Sequence, residues 1–174
     1  PHQRAVADFA EQVAVEEWLK EINARVKQDD QGNVVHVQIQ RRWINGAWET
    51  FDSADLRTLA DVPTLQTLDM TYVGLTDERA AHLAGLTQLR SLDLRQTPLT
   101  DAGMKHLSGL HSLEELDLEV TEVTDAGLRD LVPLKNLKSL VLTHLKITDE
   151  GAKTLSEIES LEHLTLYNTT ITDC

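Results

Sequence analysis

Apolar residues along most of this chain follow two spacings that alternate in a fixed order. In the stretch 99–122, Met104, Leu107, Leu110 and Leu113 fall three apart, and Leu116 and Leu118 then fall two apart. The stretch 123–146 repeats the order with Leu128, Leu131, Leu134 and Leu137, then Leu140 and Leu142. The stretch 147–170 does so with Ala152, Leu155, Ile158 and Leu161, then Leu164 and Leu166. An earlier stretch, 51–74, is degenerate at its start but keeps Leu56, Leu59, Val62, Leu65, Leu68 and Met70. A spacing near three suits the buried face of a helix. A spacing of two suits a strand with one side buried.

Each return to the helical spacing is announced by an aliphatic–threonine–aspartate triplet: Leu75-Thr76-Asp77, Leu99-Thr100-Asp101, Val123-Thr124-Asp125, Ile147-Thr148-Asp149 and Ile171-Thr172-Asp173. The Thr-Asp oxygens are placed to accept from the first unpaired amides of a helix, so the pair reads as an N-cap. The period is 24 residues without a gap, which divides the chain into units 51–74, 75–98, 99–122, 123–146 and 147–170, plus a stub at 171–174. A fixed period of this size marks stacked repeats in which each unit buries its neighbour's apolar face. Gly103, Gly127 and Gly151 fall two residues after the aspartate, a place suited to close packing between units. Strands stack about 4.8 Å apart whereas helices are about 10 Å across. Strands are therefore expected to line a concave face and helices a convex one.

Residues 1–50 follow a different pattern and are expected to cap the stack. Val6, Phe9, Val13, Trp18, Leu19, Ile22 and Val26 share one face of a helix predicted over 4–27. Asp29 to Asn33 reads as a polar turn, and the alternation from Val34 to Gln40 as a half-buried strand that pairs with the first repeat strand near Leu68. Trp43 and Trp48, around Asn45-Gly46, mark a turn or short hairpin.

The stretch LSGLHSLEELDLEVTEVTDAGLRDL, residues 107–131, resembles leucine-rich repeats, and the resemblance covers 51–174. Its spelling is similar to the repeats of bacterial leucine-rich proteins of the planctomycete type and, more distantly, to F-box-type leucine-rich repeats. The resemblance implies an α/β fold: a right-handed leucine-rich-repeat solenoid with a parallel concave sheet, convex helices and an N-terminal helix-plus-strand cap. Thr97, Thr121 and Thr169 stand where the family carries Asn or Cys, and their hydroxyls are expected to bond between coils.

Charge narrows the function. The net charge is −13, of which −11 falls on residues 51–174. Such a surface repels phosphate backbones and anionic membranes, so neither nucleic acid nor a membrane is an expected partner. The single cysteine, Cys174, precludes an internal disulfide and favours a reducing compartment. A cytoplasmic location is expected, or a periplasmic or secreted one if a leader has been removed.

No G-x-S-x-G, phosphate loop or H-E-x-x-H occurs, so no catalytic residue is expected. Val34 and Gln40 stand where a calcium loop starting at Asp29 needs Gly and Glu. The histidines do not form a spaced ligand set, so neither a metal nor a cofactor is expected.

The candidate binding residues lie on the strands. Columns one repeat apart hold Thr67, Ser91, Glu115, Ser139 and His163; then Asp69, Asp93, Asp117, Val141 and Thr165; then Thr71, Arg95, Glu119, Thr143 and Tyr167; and, at the strand exits, Tyr72, Gln96, Val120, His144 and Asn168. Stacked Asp69, Asp93 and Asp117 cost stability, with Arg95 expected to neighbour Glu119 and reach an aspartate. The expected function is non-catalytic binding of a basic protein or peptide by Asp69, Asp93, Arg95, Glu115, Asp117, Glu119 and Tyr167. One alternative is a substrate adaptor of a ubiquitin-ligase-like complex, which the F-box resemblance implies. Another is a structural element that associates, as a homodimer for example, through an edge formed by Leu164, Leu166 and Ile171.

Overall fold

The computed structural model describes residues 13–39, 43–44, 47–48 and 56–172. The first described element is a helix, α1, over residues 13–21, with Val15 and Leu19 buried beneath it. Residues 4–12 of the expected helix lie outside the described residues. The expectation that the helix runs to residue 27 is corrected, because Asn23 takes a left-handed conformation with φ 55. The Ala24 amide then donates to Leu19 O at 2.8 Å and the Asn23 amide to Lys20 O at 3.0 Å, which is a Schellman stop. Asparagine tolerates this conformation better than most residues. The chain re-emerges as strand β1, Arg25–Gln28, so Val26 sits on a sheet edge and is 43% exposed.

A turn reverses the chain into β2, Val34–Gln38. Asp29 Oδ1 accepts from the Gln31 and Asn33 amides, each at 2.9 Å, and Gly32 supplies φ 85. The Asn33 side chain, with further amides, holds the Asp29 carboxyl below its ordinary value. The polar turn read from the sequence is therefore a self-satisfied Asx loop. Trp43–Ile44 (β3) and Ala47–Trp48 (β4) pair antiparallel as a short hairpin.

Strands β5 (Thr67–Asp69), β6 (Ser91–Asp93), β7 (Glu115–Asp117), β8 (Ser139–Val141) and β9 (His163–Thr165) complete one seven-stranded sheet in the order β1-β2-β5-β6-β7-β8-β9. β1 joins antiparallel and the rest are parallel. Val37 sits opposite Leu68, and Leu68, Leu92, Leu116, Leu140 and Leu164 align in register one repeat apart. The first four of these leucines are no more than 2% exposed. They belong to one continuous core running from Val15 to Ile158.

The opposite layer carries short helices: α2 (Asp77–Ala80), α3 (Asp101–Met104), α4 (Asp125–Leu128) and α5 (Asp149–Leu155). Two of them continue as 3₁₀ turns, at Ala81–Gly85 and Arg129–Leu131. The apolar spacing explains this: three residues per turn is the 3₁₀ period, not the α period.

Three threonines of the triplets cap as expected: Thr100, Thr124 and Thr148 accept from the amide two residues on, whereas Thr76, at the start of α2, makes no side-chain cap bond. The aspartates act elsewhere. Asp77 accepts from the Thr100 amide at 2.9 Å and from its hydroxyl at 2.7 Å. Asp101 does the same with Thr124, Asp125 with Thr148 and Asp149 with Thr172. The Thr100, Thr124 and Thr148 hydroxyls thus donate to the preceding coil while accepting from their own helices. This ladder explains the glycines, since a Cβ at Gly103 would lie 2.5 Å from Asp77 Oδ1. The other threonine set also departs from expectation: Thr97, Thr121 and Thr169 donate to the carbonyl three residues back in their own coil. The strand exit turns tightly there, so the nearest acceptor is local.

Candidate functional site

The period-two alternation of β5 to β9 sends one leucine per strand into the core and leaves its two neighbours on the sheet face. The register places Asp69, Asp93 and Asp117 side by side, followed by Val141 and Thr165. Thr67, Ser91, Glu115, Ser139 and His163 form the parallel column. The expected columns are therefore brought together as read.

The structure shows how the stacked carboxylates are tolerated. Asp69 accepts from the Thr71 amide at 3.0 Å, the Thr71 hydroxyl at 2.8 Å and Gln38 Nε2 at 2.6 Å. Burial pushes its carboxyl up, but these bonds outweigh burial and hold it below the ordinary value. Asp93 is gripped by Arg95, with Nη2 at 2.6 Å and Nε at 2.9 Å from Oδ2. Arg95 Nε also lies 3.5 Å from Asp117 Oδ2. The guanidinium is held charged more firmly than usual, first by its hydrogen bonds to Asp93. Asp117 accepts from the Glu119 amide at 2.9 Å. Burial, with the charges of Asp93 and Glu119, still pushes its carboxyl above the ordinary value.

Arg95 thus reaches an aspartate as expected, and bridges two of the column. All three aspartates also accept the amide two residues on, and so shape their strand exits. Glu115 accepts from Ser91 Oγ at 3.0 Å and is exposed.

The exits carry a column in the left-handed region: Tyr72, Gln96, Val120, His144 and Asn168 all have φ between 55 and 63. A β-branched residue there is a conformational outlier, which singles out Val120. Tyr167 is 72% exposed and meets the His144 ring edge-on, with centroids 5.9 Å apart. Asn168 Nδ2 lies 2.6 Å from His144 Nδ1. Leu164 is 41% exposed, and Leu166 and Ile171 are partly buried against the end of the core. Cys174 lies outside the described residues.

Sequence reasoning missed three residues of this face. β1 sets Arg25 opposite Gln38 and Lys27 opposite His36, so two cations and Gln38 extend the columns beyond Asp69. Burial, followed by the charge of Lys27, pushes the His36 imidazole below its ordinary value. The alternation Arg25-Val26-Lys27 after Asn23 was the signal available. The face therefore grades from basic at β1, through acidic at β5 to β7, to Ser139, Val141, His163 and Thr165 on β8 and β9, which carry no carboxylate. Among the described residues no cluster of three or more His, Cys, Asp or Glu is arranged to hold a metal ion.

Two segments match family models described as leucine rich repeat, residues 63–122 and 134–156. Solved structures carry the same architecture. Internalin C2 of Listeria monocytogenes is 30% identical, with a TM-score of 0.58, over 67% of this chain and 48% of that one. The chain folds as a leucine-rich-repeat solenoid. A chain in the crystal structure of the Arabidopsis receptor kinase HAESA with the peptide hormone IDA and the co-receptor SERK1 is 19% identical, with a TM-score of 0.58, over 84% of this chain and 24% of that one. A leucine-rich-repeat protein of Leptospira interrogans is 22% identical, with a TM-score of 0.54, over 67% of this chain and 29% of that one. This solenoid thus spans about half or less of the length of each of these relatives. No curated protein matches it.

Proposed function

We propose that this chain is a non-catalytic recognition module whose sheet face binds a basic segment of another protein. The observation that supports this most directly is the central patch of Asp69, Asp93, Glu115, Asp117 and Glu119, in which Arg95 is the cation paired with the column. The register holds these carboxylates on a hydrogen-bonded sheet, so little side-chain and loop entropy is lost when a partner arrives. Burial raises the worth of a cation beside Asp117, because a carboxylate that is costly to ionise alone gains from a new counter-charge. Tyr167, two coils along the stack from Glu119, offers a largely exposed aromatic anchor. Among solved structures of the same fold, the HAESA structure contains a peptide hormone.

The test is titration of the full chain with a fluorescent arginine-rich peptide, read by anisotropy at two salt concentrations. Asp93→Asn, Asp117→Asn, Glu115→Gln and Glu119→Gln are combined; the carboxamides keep the acceptors that hold the Arg95 and Glu119 amides. A control removes four exposed carboxylates outside the sheet, with Glu17, Glu21, Glu157 and Glu159 changed to glutamine. The sheet variant is expected to bind at least about tenfold more weakly and with a shallower salt dependence, since exposed charge pairs are screened. Equal losses in both variants would mean that the peptide senses only net charge, and would overturn the reading.

A further inference from the structure

The left-handed turn at each strand exit is imposed by the stack. The amides of Tyr72, Gln96, Val120 and His144 donate to Arg95 O, Glu119 O, Thr143 O and Tyr167 O of the next coil. The turn fixes the backbone and leaves the side chain open to choice. Asparagine at position 168 suits that backbone. Valine at position 120 does not, because a branched Cβ is an outlier there. Burial does not offset the strain, since Val120 is 43% exposed, and Tyr72 in the same column is 49% exposed. A strained residue that packing does not favour points to a use outside the chain's own core.

Tyr72, Val120 and Tyr167 follow β5, β7 and β9, so they stand on alternate coils along one rim of the sheet. All three are exposed. At about 4.8 Å per strand, about 10 Å separates Tyr72 from Val120, and about 10 Å separates Val120 from Tyr167.

The charge along this rim is concentrated at its middle. Gln38 and Thr71 occupy Asp69, and Arg95 grips Asp93. The coil of Val120 carries Glu115, Asp117 and Glu119. Among the described residues neither Glu115 nor Glu119 has an ion-pair partner. An arginine or lysine arriving here lays its methylene stem along Val120 and its charge beside Asp117 and Glu119. A tyrosine then stands about 10 Å to either side.

That spacing selects a backbone. A polyproline II segment has three residues per turn and rises about 3.1 Å per residue, so positions three before and three after a central residue share its face and lie about 19 Å apart. Four strand spacings also come to about 19 Å. An extended strand shows one face every second residue, at about 7 or 13 Å, and misses the tyrosines. A helix returns to one face after seven residues, so its matching pair lies about 21 Å apart. Aromatic ridges are also the surface against which polyproline II segments pack.

We propose that the rim of strand exits binds a polyproline II segment of another protein, with a cation at its centre and a proline three residues to either side. The proposal rests on the acidic sheet face as a binding site, and adds the conformation and spacing of the partner.

Two fluorescent peptides of one composition test it by anisotropy against the full chain: Pro-Lys-Ser-Arg-Ser-Lys-Pro and Ser-Lys-Pro-Arg-Pro-Lys-Ser. Their charges occupy the same positions, and only the distance from proline to arginine differs. The first is expected to bind at least about fivefold more tightly, and Tyr72→Ala combined with Tyr167→Ala to remove that preference. Val120→Asn is expected to weaken the first peptide at least about threefold without loss of folding, because asparagine suits the turn. Equal affinity for the two peptides, or a preference that survives loss of both tyrosines, overturns the proposal. So does binding indifferent to Val120→Asn. If neither peptide binds while an arginine-rich peptide does, this proposal falls and the acidic face stands as a binder of basic segments. If the arginine-rich peptide also fails, both fall. Self-association that Val120→Asn abolishes would put a second copy on the row, and also overturns the proposal.

Discussion

Replacing Gly127 by alanine adds one methyl group where the chain leaves no room for it, and the tightest clash is with a single carboxylate. In an ordinary helix this change stabilises by about 1 kcal/mol. Here the new Cβ would lie 2.5 Å from Asp101 Oδ1, 3.0 Å from Met104 Cγ and 3.1 Å from Val123 Cγ1. Asp101 moves only by loosening its bonds from the Thr124 amide and hydroxyl, both at 2.7 Å, and from the Gly127 amide at 3.0 Å. A hydrogen bond to a charged group contributes about 1.5–3 kcal/mol, and bonds sharing one carboxylate do not add in full. Gly127→Ala should therefore cost about 2 kcal/mol and Asp101→Ala about 3 kcal/mol.

Combined, the two substitutions should cost about 3 kcal/mol rather than 5, because the methyl group enters space the carboxylate has left. The sequence carries a precedent: Arg79 occupies the glycine slot in the unit whose predecessor has Ser53, not aspartate, at the matching position. Urea unfolding of the parent, both single variants and the double variant supplies the cycle. The slope against denaturant must be checked in each case, since long repeat arrays can lose cooperativity. Additivity within about 0.5 kcal/mol would refute the claim that Gly127 exists to admit Asp101.

Three further outcomes follow from single sites. Val120→Asn should stabilise the fold by about 1 kcal/mol, because asparagine tolerates φ 56 and valine does not; a lower thermal midpoint would contradict this. Leu116→Ala, in mid-sheet and 2% exposed, should cost about 3 kcal/mol in urea unfolding. Asp69→Asn should destabilise in a pH-dependent way. The Asp69 carboxyl is held below its ordinary value, so its stabilisation is full above the unfolded pKa, near about 4, and is lost as pH falls through the folded one. The deficit of the variant in thermal midpoint should be constant near neutrality and close in acid, and a deficit that widens on acidification would contradict the assignment.

Several features were legible without coordinates because they depend on local periodicity. The strand centres at Leu68, Leu92, Leu116 and Leu140 follow from the two-residue spacing, and their mutual register follows from an unbroken 24-residue period. The hydroxyl caps at Thr100, Thr124 and Thr148 were legible too, since a cap acts within its own turn. The end of α1 was misplaced because an apolar face continues through Val26, while a left-handed Asn23 breaks the helix beneath it.

Taken alone, the amino-acid order determined the coil, its length and which side chains share a column. Only the tertiary structure decided what those side chains do across columns. Asp101 reaches a threonine 23 residues ahead rather than capping its own helix, Arg95 spans two aspartates where the sequence placed it on one, and Arg25 and Lys27 join a face assembled mostly from residues far along the chain. Burial patterns act between neighbours in sequence and can be counted there. A hydrogen bond or ion pair between coils is a choice among several partners at similar distance, and only the packed geometry makes that choice.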